Sequence, residues 1–119
     1  MTLKDKIALI EEHDSTVIYP NGQGYIIDLT EWGTEIEVDT KEELEAWVDY
    51  QLAADPAYYG LNVGEFYEVA PRPHKVHLYD GMTGEVITAS GKDDLSYIAT
   101  RPIEDIEHEG DYTTVYISL

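Results

Sequence analysis

Between Thr34 and Leu52 the apolar pattern of this chain changes period. Thr34, Ile36 and Val38 alternate with Glu35, Glu37 and Asp39. That is period 2, and it predicts a strand with one face toward a core and one toward water. Thr40-Lys41-Glu42-Glu43 then has the form of a capping box. Behind it Leu44, Trp47, Val48, Gln51 and Leu52 recur at i, i+3, i+4, i+7 and i+8, the stripe of an amphipathic helix. A wet-faced strand that hands over to a helix within a few residues restricts the chain to mixed architecture with an antiparallel sheet. Asp55-Pro56 closes the helix, because the residue before proline disfavours the α region.

The flanking segments extend this pattern. Leu3, Ile7 and Ile10, widened by Leu9, predict an N-terminal helix, with Thr2 as its cap, Asp5 completing a weak capping box and His13-Asp14-Ser15 as its end. Thr16–Tyr19 and Tyr25–Leu29 are rich in β-branched and aromatic residues. They are joined by Pro20-Asn21-Gly22-Gln23-Gly24, so they read as a hairpin about Asn-Gly. Glu31-Trp32-Gly33 reads as a second turn. Residues 56–62 read as a turn or short helix, and Val63–Ala70 is ambiguous. Further strands are expected at Lys75–Tyr79 and Glu85–Ala89 about an Asp80–Gly84 turn. A short helix is possible over Asp93–Thr100, followed by a hairpin of Ile103–Glu107 and Thr113–Leu119 about Glu109-Gly110-Asp111. The expectation is an α+β fold: one small domain of 119 residues, mainly antiparallel sheet with two or three helices, and a possible subdomain boundary at Pro71-Arg72-Pro73.

Few chemistries have their residues here. There is no Cys, so disulfides, thiolate metal sites and a Cys nucleophile are excluded. No nucleophile elbow or phosphate-binding glycine loop is present; Gly22-Gln23-Gly24 is a fragment inside a hairpin. His74 and His77 are the closest histidine pair, and on a strand residues three apart point to opposite faces, so they do not converge on a metal. His13 and His108 sit beside acidic residues and read as exposed side chains that offset local negative charge. The segment Asp80–Glu85 places Met82 where a calcium loop needs an oxygen ligand. No carboxylate pair has the apolar setting that acid–base catalysis uses. The expectation is therefore a non-enzymatic protein without metal or cofactor. No run approaches the roughly 18 apolar residues of a membrane span and no signal-peptide pattern is seen, so a cytoplasmic location is expected.

Charge is the informative property. Asp and Glu number 25 against 7 Lys and Arg, a formal net charge of −18, which argues against direct contact with nucleic acid or an anionic membrane. Residues 28–55 carry ten carboxylates against Lys41 alone, half of the net charge. Glu104, Asp105, Glu107, Glu109 and Asp111 form a second run with no basic neighbour. Glu35, Glu37 and Asp39 share a strand face with a repeat of about 6.7 Å, close to the spacing of successive phosphates along a nucleic-acid strand. Glu42, Glu45 and Asp49 are expected on the helix face opposite Leu44, Trp47 and Val48. Their mutual repulsion costs a few tenths of a kcal/mol per pair and no lysine is interleaved to relieve it. Trp32, Tyr58 and Tyr59 lie in turns, where exposed aromatic rings suit an interface, whereas Trp47 is expected in the core.

In these features, residues 1–55 resemble the small acidic inhibitors that phages and mobile elements encode against nucleic-acid-binding defence proteins: the anti-CRISPR and antirestriction proteins. The resemblance rests on the helix, the hairpin, the strand Thr34-Glu35-Ile36-Glu37-Val38-Asp39 and the helix bearing Glu42, Glu45 and Asp49. Several such families pair a short helix with an antiparallel sheet and display carboxylates as a mimic of DNA phosphates. The resemblance implies a basic nucleic-acid-binding partner, such as a nuclease, met through Glu31, Trp32, Glu35, Glu37, Asp39, Glu42, Glu45 and Asp49. Two alternatives share these residues: an immunity protein against a basic toxin nuclease, and an acidic adaptor or subunit whose charge has no specific target.

Overall fold

The computed structural model describes residues 1–70, 75–80, 86–90, 99–109 and 112–117. The elements run α1 (Leu3–His13), β1 (Thr16–Asn21), β2 (Gly24–Leu29), β3 (Thr34–Val38), α2 (Lys41–Ala54), α3 (Val63–Val69), β4 (Lys75–Asp80), β5 (Val86–Ser90), β6 (Ile103–Glu109) and β7 (Tyr112–Ile117). The fold is α+β; among the described residues there are three helices and four antiparallel strand pairings against one parallel pairing. Two compact units are resolved, Met1–Leu52 and Ala53–Leu119, with the division in the last turn of α2. Pro71-Arg72-Pro73 lies outside the described residues, as do Gly81–Gly84, Gly110-Asp111 and residues 93–98 of the helix expected over Asp93–Thr100, whose last two residues are a turn.

In the first unit, β1, β2 and β3 form a three-stranded antiparallel sheet in that order. The β1–β2 turn is two residues, Gly22 and Gln23, between the paired Asn21 and Gly24. Gly22 has φ 63°, and among the described residues only glycines have positive φ. The left-handed backbone therefore sits at the first central position alone, which fits a type II′ rather than a type I′ turn. Gly33, with φ 64°, ends the four-residue β2–β3 turn in the same way. Gly24 is needed for another reason: a Cβ there would be driven into the Val38 carbonyl oxygen.

Both helices of this unit start on side-chain caps. Thr2 Oγ1 accepts from Asp5 N–H at 3.1 Å and Asp5 Oδ2 accepts from Thr2 N–H at 3.1 Å, a complete capping box. At α2, Thr40 Oγ1 accepts from Glu43 N–H at 3.1 Å, but Glu43 Oε2 reaches past the cap to Asp39 N–H, also at 3.1 Å. Ile10, Ile27, Leu44, Val48 and Leu52 are fully buried and form the core on this side of the chain. At roughly 1.5–3 kcal/mol each, these five side chains outweigh the caps, which contribute about 1 kcal/mol apiece. Trp47 is only half-buried. At 100° per residue it lies at the margin of the helix stripe rather than at its centre.

The second unit contains α3 and a four-stranded sheet ordered β5-β4-β7-β6. The β6–β7 hairpin is in place, with a register irregularity between Ile103 and Asp105, and β4 pairs parallel to β7. Within Val63–Ala70, Val63–Val69 resolves as helix with Ala70 as its C-cap. Asn62 and Glu65 form a reciprocal capping box at its start, and Val63, Phe66 and Val69 are buried at i, i+3 and i+6. Its first turn is stitched to the 99–103 segment by Gly64 N–H to Ala99 O (2.9 Å) and Val63 N–H to Arg101 O (3.0 Å). Residues 56–60 are a turn. Tyr59 is buried there while Tyr58 stays half exposed, and their rings meet edge to face at 5.1 Å.

Candidate functional site

Register assigns the two faces of the first sheet. Thr16, Ile18, Ile27, Ile36, Tyr25 and Val38 line the inner face. Val17, Tyr19, Ile26, Asp28, Glu35 and Glu37 line the outer one, on which Ile26 is buried and Asp28 half-buried while the other four are exposed. Asp28 stands directly opposite Glu35, and Glu37 opposite Ile26. Like charges in a cross-strand pair cost stability, and no ion pair among the described residues relieves Asp28, Glu35 or Glu37. Tyr19, exposed on the same face, registers this field. Its hydroxyl is held above the usual tyrosine range by desolvation and then by Glu35 and Asp28. Trp32, 78% exposed, stands in the turn leading into β3 beside exposed Glu31. Asp39 and Glu42 are exposed at the β3–α2 junction.

The helix carboxylates behave differently from the sequence expectation. Glu45 and Asp49 are not free: Lys6 Nζ lies 2.9 Å from Asp49 Oδ1 and 3.5 Å from Glu45 Oε1. The lysine side chain is 7% exposed, against 26% for Asp49 and 44% for Glu45. Burial pulls the Lys6 ammonium down, but Asp49 and then Glu45 more than offset this and hold it above the ordinary lysine value. The error was angular. At 100° per residue, Glu45 lies only about 20° from Leu52 around the helix, on the flank of the apolar stripe rather than opposite it. Lys6 was legible as well. It falls at the i+3 position of the Leu3, Ile7, Ile10 stripe, so its stem is buried and its head must find a counter-ion. Glu42, on the far side, is the member of this trio that remains exposed and without an ion pair among the described residues.

A shallow depression of about 340 Å³ opens at the hairpin end of the sheet, between Asn21, Gln23 and Gly24 on one side and Glu37 and Asp39 on the other. Its two carboxylates are exposed, so it lacks the desolvated acid that proton-transfer chemistry uses. Among the described residues no group of three His, Asp or Glu is placed to hold a metal. His13 Nδ1 is 3.0 Å from the Leu9 carbonyl oxygen at the end of α1, and His108 Nε2 is 3.3 Å from that of Ala54. His74 lies outside the described residues. The second acidic run lies in the other unit. Glu104, Asp105 and Glu107 are exposed on β6, with Glu107 accepting from the Tyr116 hydroxyl at 3.0 Å. No helix among the described residues is long and apolar enough to cross a membrane. Comparison with protein-family models, curated proteins and solved structures gave no match.

Proposed function

We propose that this protein is a non-enzymatic acidic inhibitor that occupies the nucleic-acid-binding surface of a basic protein, a CRISPR effector or restriction-type nuclease, with carboxylates standing in for phosphates. The observation that carries the reading is the outer sheet face. Asp28, Glu35 and Glu37 are held together there against their own repulsion, with exposed Trp32 at the adjoining turn. Asp39, Glu31 and Glu42 extend the acidic surface at its two ends. Glu45 and Asp49 contribute less, since Lys6 already neutralises part of their charge. Arginine and lysine of the partner would bind the carboxylates through charge-assisted hydrogen bonds, and long-range attraction would speed encounter.

A pull-down from bacterial lysate at low and high salt, with wild type beside Glu35→Gln/Glu37→Gln, tests this. The expected result is a basic nuclease retained at low salt, released as salt rises, and retained at least roughly tenfold less by the double variant. Equal capture by both proteins with no salt dependence overturns the reading. One observation favours the acidic-adaptor alternative: β3 is an edge strand, where glutamates also serve to prevent unwanted pairing. Salt-independent capture of a non-basic protein supports that alternative.

A further inference from the structure

The two edges of the first sheet are not equivalent. In an antiparallel ladder, alternate residues direct their N–H and C=O to the neighbouring strand and the remainder direct them outward. On β1, Ile18 N–H donates to Glu11 Oε2 at 3.2 Å, so Ile18 belongs to the outward set together with Thr16 and Pro20. Thr16 N–H donates to the Asp14 carbonyl at 2.8 Å, and Pro20 has no N–H. All three outward donors of β1 are therefore occupied or absent. The same alternation carries through the register to β3. There Ile36 and Val38 pair with Ile27 and Tyr25 of β2, and Glu35, Glu37 and Asp39 point their backbone groups outward. Asp39 N–H is taken by Glu43 Oε2. The N–H and C=O groups of Glu35 and Glu37 are left, and no hydrogen bond among the described residues fills them.

We propose that this open stretch of β3 accepts an extended segment of a protein partner as a fourth strand, one in which Lys or Arg alternates with apolar residues. The alternation follows from the pleat. On the outer face the added strand would lie beside Glu35 and Glu37, with Asp28 one strand further in. On the inner face it would lie beside half-buried Ile36 and Val38. Trp32 stands at the entry to the same strand and supplies an aromatic anchor. A second copy of this chain is the wrong occupant, because β3 paired antiparallel with itself sets glutamate against glutamate. The edge is thus closed to self-association and open to a basic strand. This deepens the proposed function, since it uses the same face and rests on a basic partner, but it adds a main-chain recognition mode that phosphate mimicry alone does not need.

The test uses the full chain and two short synthetic peptides of identical composition. One alternates lysine with valine; the other has the lysines and valines in separate blocks. Amide hydrogen exchange is read by NMR at Glu35 and Glu37. The alternating peptide is expected to slow exchange at both amides by roughly tenfold or more, while leaving Ile18 and Asp39 unchanged, and to bind more tightly than the blocked peptide. Glu35→Gln/Glu37→Gln should weaken it by roughly two- to tenfold. Glu35→Pro should abolish the protection at Glu37, because it removes an outward N–H while sparing the ladder bonds to β2. Should Glu35→Pro fail to fold, the contrast between the two peptides on wild type still decides the question. Equal binding of both peptides without protection overturns strand addition but leaves the charge-based reading intact. Binding of neither overturns strand addition, and the salt-dependent pull-down then judges the inhibitor reading separately.

Discussion

Lys6 shows how one side chain can organise the charge of its neighbours. Its aliphatic stem fills a position in the apolar stripe of α1 while its ammonium meets two carboxylates of α2. Lys6→Met keeps the stem and removes the charge. It should cost about 1–2 kcal/mol, less than a fully buried pair because Glu45 and Asp49 keep part of their hydration. Lys6→Ala should cost more, and urea unfolding midpoints would separate the two. The pH dependence has a definite sign. The folded-state value of Lys6 is raised above 10.5, so its contribution is complete below the unfolded lysine pKa and is lost as pH climbs through the higher folded value. Tyr19, also raised, acts in the same direction from its ordinary 10.0. Asp5 is the opposite case. Thr2 N–H and then the Thr2 hydroxyl hold its carboxyl below the usual 3.8, so its contribution is present above that value and disappears as pH falls through the lower one. Stability followed by chemical unfolding across alkaline pH should therefore decline more steeply in wild type than in Lys6→Met.

At the level of elements, the fold was most legible where side chains act on their own backbone. Thr2, Asp5 and Thr40 marked helix starts, and Gly22 and Gly33 marked turns, because a cap or a left-handed residue is a local requirement. What escaped reading depended on distant partners. The parallel pairing of β4 with β7 has no local signature. The Val63–Ala70 segment did carry a local helix signal, the Asn62–Glu65 box, while its bonds to Ala99 and Arg101 come from a segment distant in sequence. The candidate site divides in the same way. Glu35 and Glu37 could be placed on one face from period alone, and the place of Glu45 beside the apolar stripe follows from helical angle, whereas which carboxylates Lys6 meets depends on how two helices pack. Two substitutions test these elements by thermal or urea unfolding. Thr40→Ala should destabilise by about 1 kcal/mol through the lost α2 cap. Gly24→Ala should cost about 2–3 kcal/mol, because Val38 backbone, not a flexible side chain, blocks the added methyl group.

For the molecule as a whole, a net charge of −18 on 119 residues means that compaction works against self-repulsion. Added salt should raise the melting temperature by a few degrees, equivalent to about 1 kcal/mol for a chain of this size. Scanning calorimetry at increasing sodium chloride checks this, and a flat response would mean that the carboxylates are spaced widely enough to ignore one another. The asymmetry of the first sheet has a further consequence, for stoichiometry. Ribbons lengthen without limit only if each addition presents a fresh hydrogen-bonding margin to the next arrival. With Glu11, the Asp14 carbonyl and Pro20 disposing of every donor on the β1 side, this sheet has a terminus built into it. A strand that joins along β3 leaves the β1 margin without a free donor, so copies of this chain do not link together through that side.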